Sequence, residues 1–178
     1  RSVASVGDMQ IQFSQQAWQV NPHILFRIGD RVFGQDGAGN NGRDAFAVGG
    51  RRLRDAGLQV QVGGNIGKAL VSMVESSRDD GWTVAELSSF QLETIKTFRP
   101  SIAVVLNVTP NHMDRYETFN DYAAAKHRIF MNQTPEDVAV LNADDPTVSS
   151  WASGLRAKVM YFSVKKELDN GVFLRGRE

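Results

Sequence analysis

The stretch from Trp82 to Lys126 constrains the fold most strongly, because it changes from strand-like to helix-like spacing and back. A short apolar run, Trp82–Leu87, predicts a strand, and the residues after it have apolar side chains at helical spacing. A second run, Ile102–Val108, is almost wholly apolar, which is typical of a strand covered on both faces. Strands that alternate with helices in this way predict a parallel α/β sheet.

The rest of the chain follows the same rhythm, with a helix expected to end at Ala56-Gly57. Further strands are predicted at Gln59–Val62, Val138–Asn142, Lys158–Val164 and Gly171–Leu174. Helices are predicted at Lys68–Ser77, Ser88–Phe98, from Thr118 to about Met131 after a capping box, and after the Asp145-Pro146 cap. The expected fold class is α/β, a mostly parallel, doubly wound sheet with helices on both faces.

Residues 1–50 differ from the remainder and are expected to form an atypical N-terminal segment, with a partial α/β domain over residues 51–178. The string SVGDMQIQF alternates as one strand does, and ILFRI-GD-RVF predicts a hairpin with a Gly-Asp turn. A glycine-rich stretch then runs from Gly34 to Gly50.

Composition narrows the class of protein. Lys plus Arg and Asp plus Glu both number 20, so net charge favours neither nucleic acid nor an acidic membrane as a partner. The chain has no cysteine, which excludes a disulfide scaffold and a thiolate metal site. No apolar run reaches the ~20 residues that a membrane-spanning helix needs. We therefore expect a soluble, cytoplasmic protein.

Polar side chains follow two of the predicted strands where each strand ends. Glu86 closes one strand, and His112 lies in the loop after the next. Ligands of open parallel sheets bind outside the carboxyl ends of the strands. A carboxylate and an imidazole at this edge are candidate ligands for Mg²⁺, which prefers oxygen and keeps several waters. On spacing alone, the alternative stays open that Glu86 accepts helix amides and His112 caps a loop.

Lys126 is a candidate for unusual lysine chemistry. It lies four residues from Tyr122 and from Phe130, so its stem is expected to run along partly buried surface. Burial disfavours a charged amine, and a neutral amine can capture carbon dioxide as a carbamate, an anion able to hold Mg²⁺. A surface lysine whose ammonium reaches solvent is the alternative.

Two glycine-rich turns are further candidates for ligand contact. Asn65 lies within Gly63–Gly67, where amides can approach a ligand, although asparagine also tolerates a left-handed turn. The Gly37-x-Gly39-x-x-Gly42 pattern matches a dinucleotide fingerprint, but no clean strand precedes it and no acidic residue ends the strand after it. A glycine-rich connecting loop without a ligand is the alternative.

Several ordered motifs resemble the central domain of the Mur ligases: QVGGNIG, AELSSFQLET, LNVTPNHMDRY, YAAAKHRIF and VLNADDP. The resemblance runs from about Leu53 to the C-terminus and is nearest to the branch that adds D-glutamate to a UDP-linked muramoyl-L-alanine. It implies a fragment of an ATP-dependent ligase of peptidoglycan synthesis, which forms an amide bond through an acyl phosphate. A related amide ligase, such as a folate polyglutamate synthase, and a non-catalytic remnant or binding module remain alternatives.

The resemblance also implies roles for individual residues in an incomplete, P-loop NTPase-like domain. It assigns the catalytic Mg²⁺ to Glu86, His112 and a carbamylated Lys126. It assigns the groove for the muramoyl substrate to Asn65, Ser88 and Gln91, and a place near ATP to Arg115. The family's uridine-nucleotide and amino-acid domains are expected outside these 178 residues.

The phosphate-binding loop departs from the family pattern G-T-N-G-K-[ST]. The corresponding stretch is Gly39-Asn40-Asn41-Gly42-Arg43-Asp44, in which Gly39, Asn41, Gly42 and Arg43 are the candidate nucleotide ligands. Asp44 puts a negative charge where phosphates and Mg²⁺ converge and removes a hydroxyl ligand. Arg43 reaches phosphate with a planar fork in place of a compact point charge. We therefore predict a degenerate phosphate loop.

Overall fold

The computed structural model describes residues 2–6, 9–13, 24–28 and 49–173, with side chains for 49–173. Seven strands form one parallel sheet in the order β4-β5-β3-β6-β7-β8-β9. Their bounds are β3 Ile24–Ile28, β4 Val60–Gly64, β5 Trp82–Glu86, β6 Ile102–Val105, β7 Val138–Asn142, β8 Lys158–Ser163 and β9 Val172–Phe173. Two further strands, β1 (Ser2–Val6) and β2 (Met9–Phe13), pair with each other in antiparallel fashion.

Helices connect the strands of the parallel sheet. Residues 49–55 are helical and form α1. The others are α2 Ser89–Glu93, α3 Phe119–His127 and α4 Pro146–Ser150, with 3₁₀ segments at Leu70–Ser76, Arg128–Phe130 and Trp151–Gly154. No helix in the described residues is long and apolar enough to cross a membrane.

Both faces of the sheet carry helices, as the sequence predicts for a doubly wound fold. Ala85 and Ala103 lie on one face and share a buried core with α2, α3 and α4. Val62 pairs with Val84, the neighbour of Ala85, and so points to the opposite face. There it meets α1 so closely that a Cβ on Gly50 would lie 2.4 Å from a Val62 methyl carbon. The expected fold class is therefore confirmed.

The strand order reverses at β3, which lies between β5 and β6. In the register, Arg27 is opposite Glu86 on one side and Val104 on the other. The chain reaches β4 and β5 on one side of β3 before it crosses to β6 on the other. This is a topological switch point, and ligands of open α/β sheets bind beyond the carboxyl ends of the strands at such a point.

Two predictions for the N-terminal residues were wrong. The SVGDMQIQF string is divided between β1 and β2, which pair with each other instead of forming one strand. Ile24–Ile28 does form a strand, but its partners are the parallel strands β5 and β6 and not a hairpin arm. The expected second arm, residues 31–33, lies outside the described residues. The division of the chain at residue 50 stays a prediction.

The helix predicted at Ser88–Phe98 is shorter, because carbonyls at and after the last turn of α2 bond to side chains from elsewhere. Arg128 donates to the carbonyls of Leu92 and Ile95, each at 2.8 Å. Asn132 donates to those of Lys96 and Phe98, also at 2.8 Å. These tertiary hydrogen bonds end α2 at Glu93 and join it to the end of α3.

Other predicted boundaries also shift. The segment expected to be a helix at Lys68–Ser77 is a 3₁₀ helix, in which Ser72 and Ser76 donate to carbonyls three residues back. The strand expected to reach Val108 ends at Val105. By contrast, the Thr118 capping box and the strand Val138–Asn142 lie as predicted.

Candidate functional site

The ends of β4 and β5 form one wall of the candidate site. Gly64 has φ +132, and a Cβ there would lie 2.2 Å from the Glu86 carbonyl oxygen. The next amide, that of Asn65, donates to the same carbonyl at 2.7 Å. Because Gly64 has no side chain, its backbone can lie against that of Glu86, and Asn65 is held next to Glu86. Asn65 is exposed, whereas the Oε2 atom of Glu86 is buried. Two of the predicted site residues are therefore neighbours at the carboxyl edge of the sheet.

Ser88 and Gln91 form the N-terminal cap of α2. The Ser88 hydroxyl accepts the Gln91 amide at 3.3 Å, and the Gln91 side chain accepts the Ser88 amide at 2.9 Å. This reciprocal capping fixes the first turn of the helix immediately after Glu86. The substrate-binding role that the resemblance implies for these two residues stays a prediction.

His112 has a left-handed backbone, with φ 56, which is uncommon for a residue with a Cβ. Its carbonyl accepts the amides of Arg115 at 3.0 Å and Tyr116 at 3.1 Å, which closes the loop into a turn. The imidazole lies 4.8 Å from the Phe90 ring and 6.3 Å from the Tyr122 ring, measured between centroids. The loop therefore presents His112 between a ring of α2 and a ring of α3.

Lys126 lies on α3 and is only 4% exposed. Its Nζ atom lies 4.9 Å from the centroid of the Tyr122 ring, a cation–π contact. The burial that the spacing predicts for the Lys126 side chain is thus confirmed. Since His112 also packs against Tyr122, the structure brings these two predicted site residues to the same aromatic side chain.

The chemistry of Glu86 and His112 suits a hard divalent cation, and a modified Lys126 would add a third ligand. Within residues 49–173, no group of three or more His, Asp or Glu side chains is placed to hold a metal. Glu86 and His112 supply one carboxylate and one imidazole, and Mg²⁺ commonly takes one or two carboxylates with water and phosphate. The ammonium of Lys126 would repel a cation, whereas its carbamate would supply an oxygen anion.

Arg115 is held by Glu93, which lies at the end of α2. Its guanidinium donates to Glu93 Oε2 at 2.9 Å and lies 4.9 Å from the centroid of the Phe90 ring. The Tyr116 hydroxyl donates to the other carboxylate oxygen of Glu93. Burial opposes ionisation of Glu93, but the hydrogen bonds from Tyr116 and Arg115 outweigh it and lower its pKa. Burial, followed by the contact with Glu93, raises the pKa of Tyr116.

The Asn142–Asp145 run has the structural role that the sequence predicts. Asn142 donates to the Leu106 carbonyl at 2.7 Å. Asp145 caps α4 by accepting the Val148 amide, and it also accepts the Val108 amide at 2.9 Å. These contacts tie β7 and α4 to the segment that leads from β6 to His112.

The predicted nucleotide ligands Gly39, Asn41, Gly42 and Arg43 lie outside the described residues. The role of these four residues therefore stays a prediction.

Sequence reasoning missed the aromatic and acidic residues that surround His112. Tyr122 was noted only for its helical spacing to Lys126, Phe90 was counted only among the apolar side chains of the helix expected at Ser88–Phe98, and the pairing of Glu93 with Tyr116 was not anticipated. The one available signal was an aromatic residue, Tyr116, within the polar string DRYET.

An open parallel sheet whose polar side chains converge at a switch point defines an α/β domain that binds ligands at its carboxyl edge. The model of the Mur ligase middle domain matches residues 65–174. The chain therefore belongs to the Mur ligase family.

Curated relatives point to one member of that family. The chain is 54% identical over 141 residues to a UDP-N-acetylmuramoylalanine--D-glutamate ligase of Solibacter usitatus, covering 79% of this chain and 32% of the relative. It is 53% identical over 127 residues to the enzyme of the same name from Pelotomaculum thermopropionicum, covering 71% and 28%. The chain spans about a third of the length of these relatives.

Solved structures show the same fold. A MurF ligase from Thermotoga maritima in complex with ADP matches with a TM-score of 0.62 at 14% identity. The match covers 85% of this chain and 35% of that one.

Proposed function

We propose that this chain is part of an ATP-dependent ligase that joins D-glutamate to UDP-N-acetylmuramoyl-L-alanine in the cytoplasm. The observation that carries the proposal is the 54% identity over 141 residues to a ligase of that name. The matched region includes the edge where Glu86, His112 and Lys126 are expected to act. Because the match covers only 32% of that relative, the complete activity would need the rest of such a protein.

The proposed reaction has two steps. ATP transfers its γ-phosphoryl group to the carboxylate of the muramoyl-L-alanine substrate, which gives an acyl phosphate and ADP. The amine of D-glutamate then attacks the acyl carbon, a C–N bond forms, and the C–O bond to phosphate breaks. Chemistry of this kind needs alignment and charge neutralisation more than a covalent group from the protein.

The residues of this chain would supply that environment. Glu86, His112 and the Lys126 carbamate would hold Mg²⁺, which supplies positive charge between the phosphate and the carboxylate of the substrate. Carbamylation would form a bond between Nζ and the carbon of CO₂ with loss of two protons from the ammonium, which turns the cation into an anion. The 4% exposure of Lys126 would limit water at that amine. Asn65 at the rim, with Ser88 and Gln91, would contact the muramoyl substrate.

A second candidate function is a binding module that no longer turns over nucleotide. One observation favours it: Arg43-Asp44 replaces the family's Lys-[Ser/Thr]. The negative charge of Asp44 would repel the β- and γ-phosphates of ATP. A protein with this function would therefore bind the muramoyl substrate but bind ATP only weakly.

Titration with a non-hydrolysable ATP analogue and Mg²⁺ separates the two candidates. We expect weak binding by the unmodified chain and at least about ten-fold tighter binding after Arg43→Lys with Asp44→Thr, because the phosphates regain their usual partners. A matched control, Arg78→Lys with Asp79→Thr, makes the same chemical changes at exposed positions and should leave affinity unchanged. Tight binding of the analogue by the unmodified chain would refute the idea that Arg43 and Asp44 weaken the phosphate loop. If neither the unmodified chain nor the double variant bound the analogue, the proposal that this chain binds ATP would be contradicted.

A further inference from the structure

Glu93 is the carboxylate that fastens the His112 loop to α2. It accepts a hydrogen bond from the Tyr116 hydroxyl on one oxygen and an ion pair from Arg115 at 2.9 Å on the other. Glu93 and the loop are more than twenty residues apart in sequence, so this contact is tertiary. Its side chain is 29% exposed, which places the pair at the boundary between core and solvent.

The loop that Glu93 holds is built on His112 itself. The amides of Arg115 and Tyr116 both donate to the His112 carbonyl, and the His112 φ of 56 lies in the left-handed region. A non-glycine residue is strained in that region and persists there only where its surroundings hold it. The two residues that Glu93 binds are therefore the two whose amides close the turn.

Aromatic side chains connect Tyr116 of the loop to the imidazole of His112. The Tyr116 ring is stacked on Phe90 with an interplanar angle of 6° and lies 5.2 Å from the Tyr122 ring. The same two rings flank His112, at 4.8 and 6.3 Å. A shift of Tyr116 would therefore move the walls between which the His112 ring lies.

We propose that Glu93 is a positioning residue that fixes the His112 imidazole at the candidate metal site through Tyr116 and Arg115. This role of Glu93 rests on the proposed function, in which His112 binds Mg²⁺. The position of the ring, however, is a property of this chain that can be measured without metal or nucleotide. Groups that orient metal ligands are worth about 10- to 100-fold in metal affinity.

The first test follows the His112 ring by NMR in the metal-free chain. The chain has three histidines, so the ring resonances are assigned by substituting each in turn. Glu93→Ala is expected to move the His112 ring resonances toward those of unstructured histidine and to speed exchange of the Arg115 and Tyr116 amides. Unchanged His112 resonances in Glu93→Ala would overturn the proposal.

Tyr116→Phe keeps the ring and removes only the hydroxyl, so it tests the same link in a variant that retains the aromatic packing. We expect a smaller displacement of His112 in the same direction, and little further effect of Tyr116→Phe in the Glu93→Ala background. Glu117→Ala removes an exposed carboxylate next to Tyr116 and is the matched control; it should leave His112 unmoved. Independent, additive effects of Glu93 and Tyr116 would contradict the link.

A second arm titrates Mn²⁺, as a probe of the Mg²⁺ site, into the same variants. We expect at least about ten-fold weaker binding in Glu93→Ala and an unchanged affinity in Glu117→Ala. Equal affinity of Glu93→Ala and the parent chain, despite a displaced His112, would refute a positioning role. If the parent chain does not bind Mn²⁺, the proposed function fails, and the NMR arm still decides whether Glu93 holds the His112 ring.

Discussion

Substitution of Gly64 by alanine tests how closely β4 must approach Glu86. A Cβ at this position would lie 2.2 Å from the Glu86 carbonyl oxygen and 2.8 Å from its nitrogen, where distances under 3.0 Å essentially never occur. The two backbones must therefore separate by at least about 0.8 Å. Such a shift would also strain the hydrogen bond of 2.7 Å from the Asn65 amide to that oxygen.

The expected cost of Gly64→Ala follows from two contributions. A φ of +132 is unfavourable for alanine, at about 1–3 kcal/mol, and a steric overlap that the structure must absorb costs about 1–3 kcal/mol more. We therefore expect a loss of about 2–6 kcal/mol in the free energy of unfolding. Binding of Mn²⁺ should weaken as well, because Glu86 is displaced.

Two other glycines separate strain from steric overlap. Gly67 has φ +82 but no atom within 4 Å of an added Cβ, so Gly67→Ala should cost only about 1–2 kcal/mol. Gly154 has neither a positive φ nor a close neighbour, so Gly154→Ala should be neutral or stabilising by up to about 1 kcal/mol. Urea unfolding of the three variants measures the order. If the losses in unfolding free energy for Gly64→Ala and Gly67→Ala differed by less than about 0.5 kcal/mol, the close approach of Gly64 to the Glu86 backbone would be refuted.

Three further predictions concern stability. Burial opposes ionisation of Asp137, but hydrogen bonds led by Arg99 outweigh it and lower its pKa. Asp137→Asn should cost about 2–3 kcal/mol at pH 7, and the difference in unfolding free energy should begin to shrink below about pH 4 and disappear once the pH has fallen through the lowered folded pKa. Burial lowers the pKa of His127, whose ring centroid lies 5.0 Å from that of Trp151. The free energy of unfolding should therefore be highest above about pH 6.5, where the imidazole is neutral, and fall as the pH drops. His127→Gln should abolish this fall, measured as the urea midpoint. Arg128→Ala removes side-chain donors from the carbonyls of Leu92, in the last turn of α2, and Ile95, and should cost about 1–3 kcal/mol by thermal unfolding.

The sequence predicted the sheet and its carboxyl-edge site because those features depend on local patterns. Apolar runs, the Asp145 cap and the Thr118 capping box each depend on residues a few positions apart. The strand Val138–Asn142 was located correctly for the same reason. Glu86 and His112 were singled out because each follows a recognisable strand.

Features that depend on distant residues were not predicted. The early end of α2 is imposed by Arg128 and Asn132, more than thirty residues later. The partners of Ile24–Ile28 were wrong because a Gly-Asp pair favours a hairpin locally, whereas the β5 and β6 strands supply longer-range pairing. The contact of Glu93 with Tyr116 has no spacing rule that a sequence would show.

The central claim is that Lys126 becomes an anion that shares a divalent cation with Glu86. Carbon-13 NMR of the chain in labelled bicarbonate tests it most directly. We predict a carbamate resonance that is lost in Lys126→Arg, retained in the exposed control Lys158→Arg, and broadened by dilute Mn²⁺ much more strongly in the parent chain than in Glu86→Gln. A resonance that survives Lys126→Arg, or one that Mn²⁺ leaves sharp, would contradict the account.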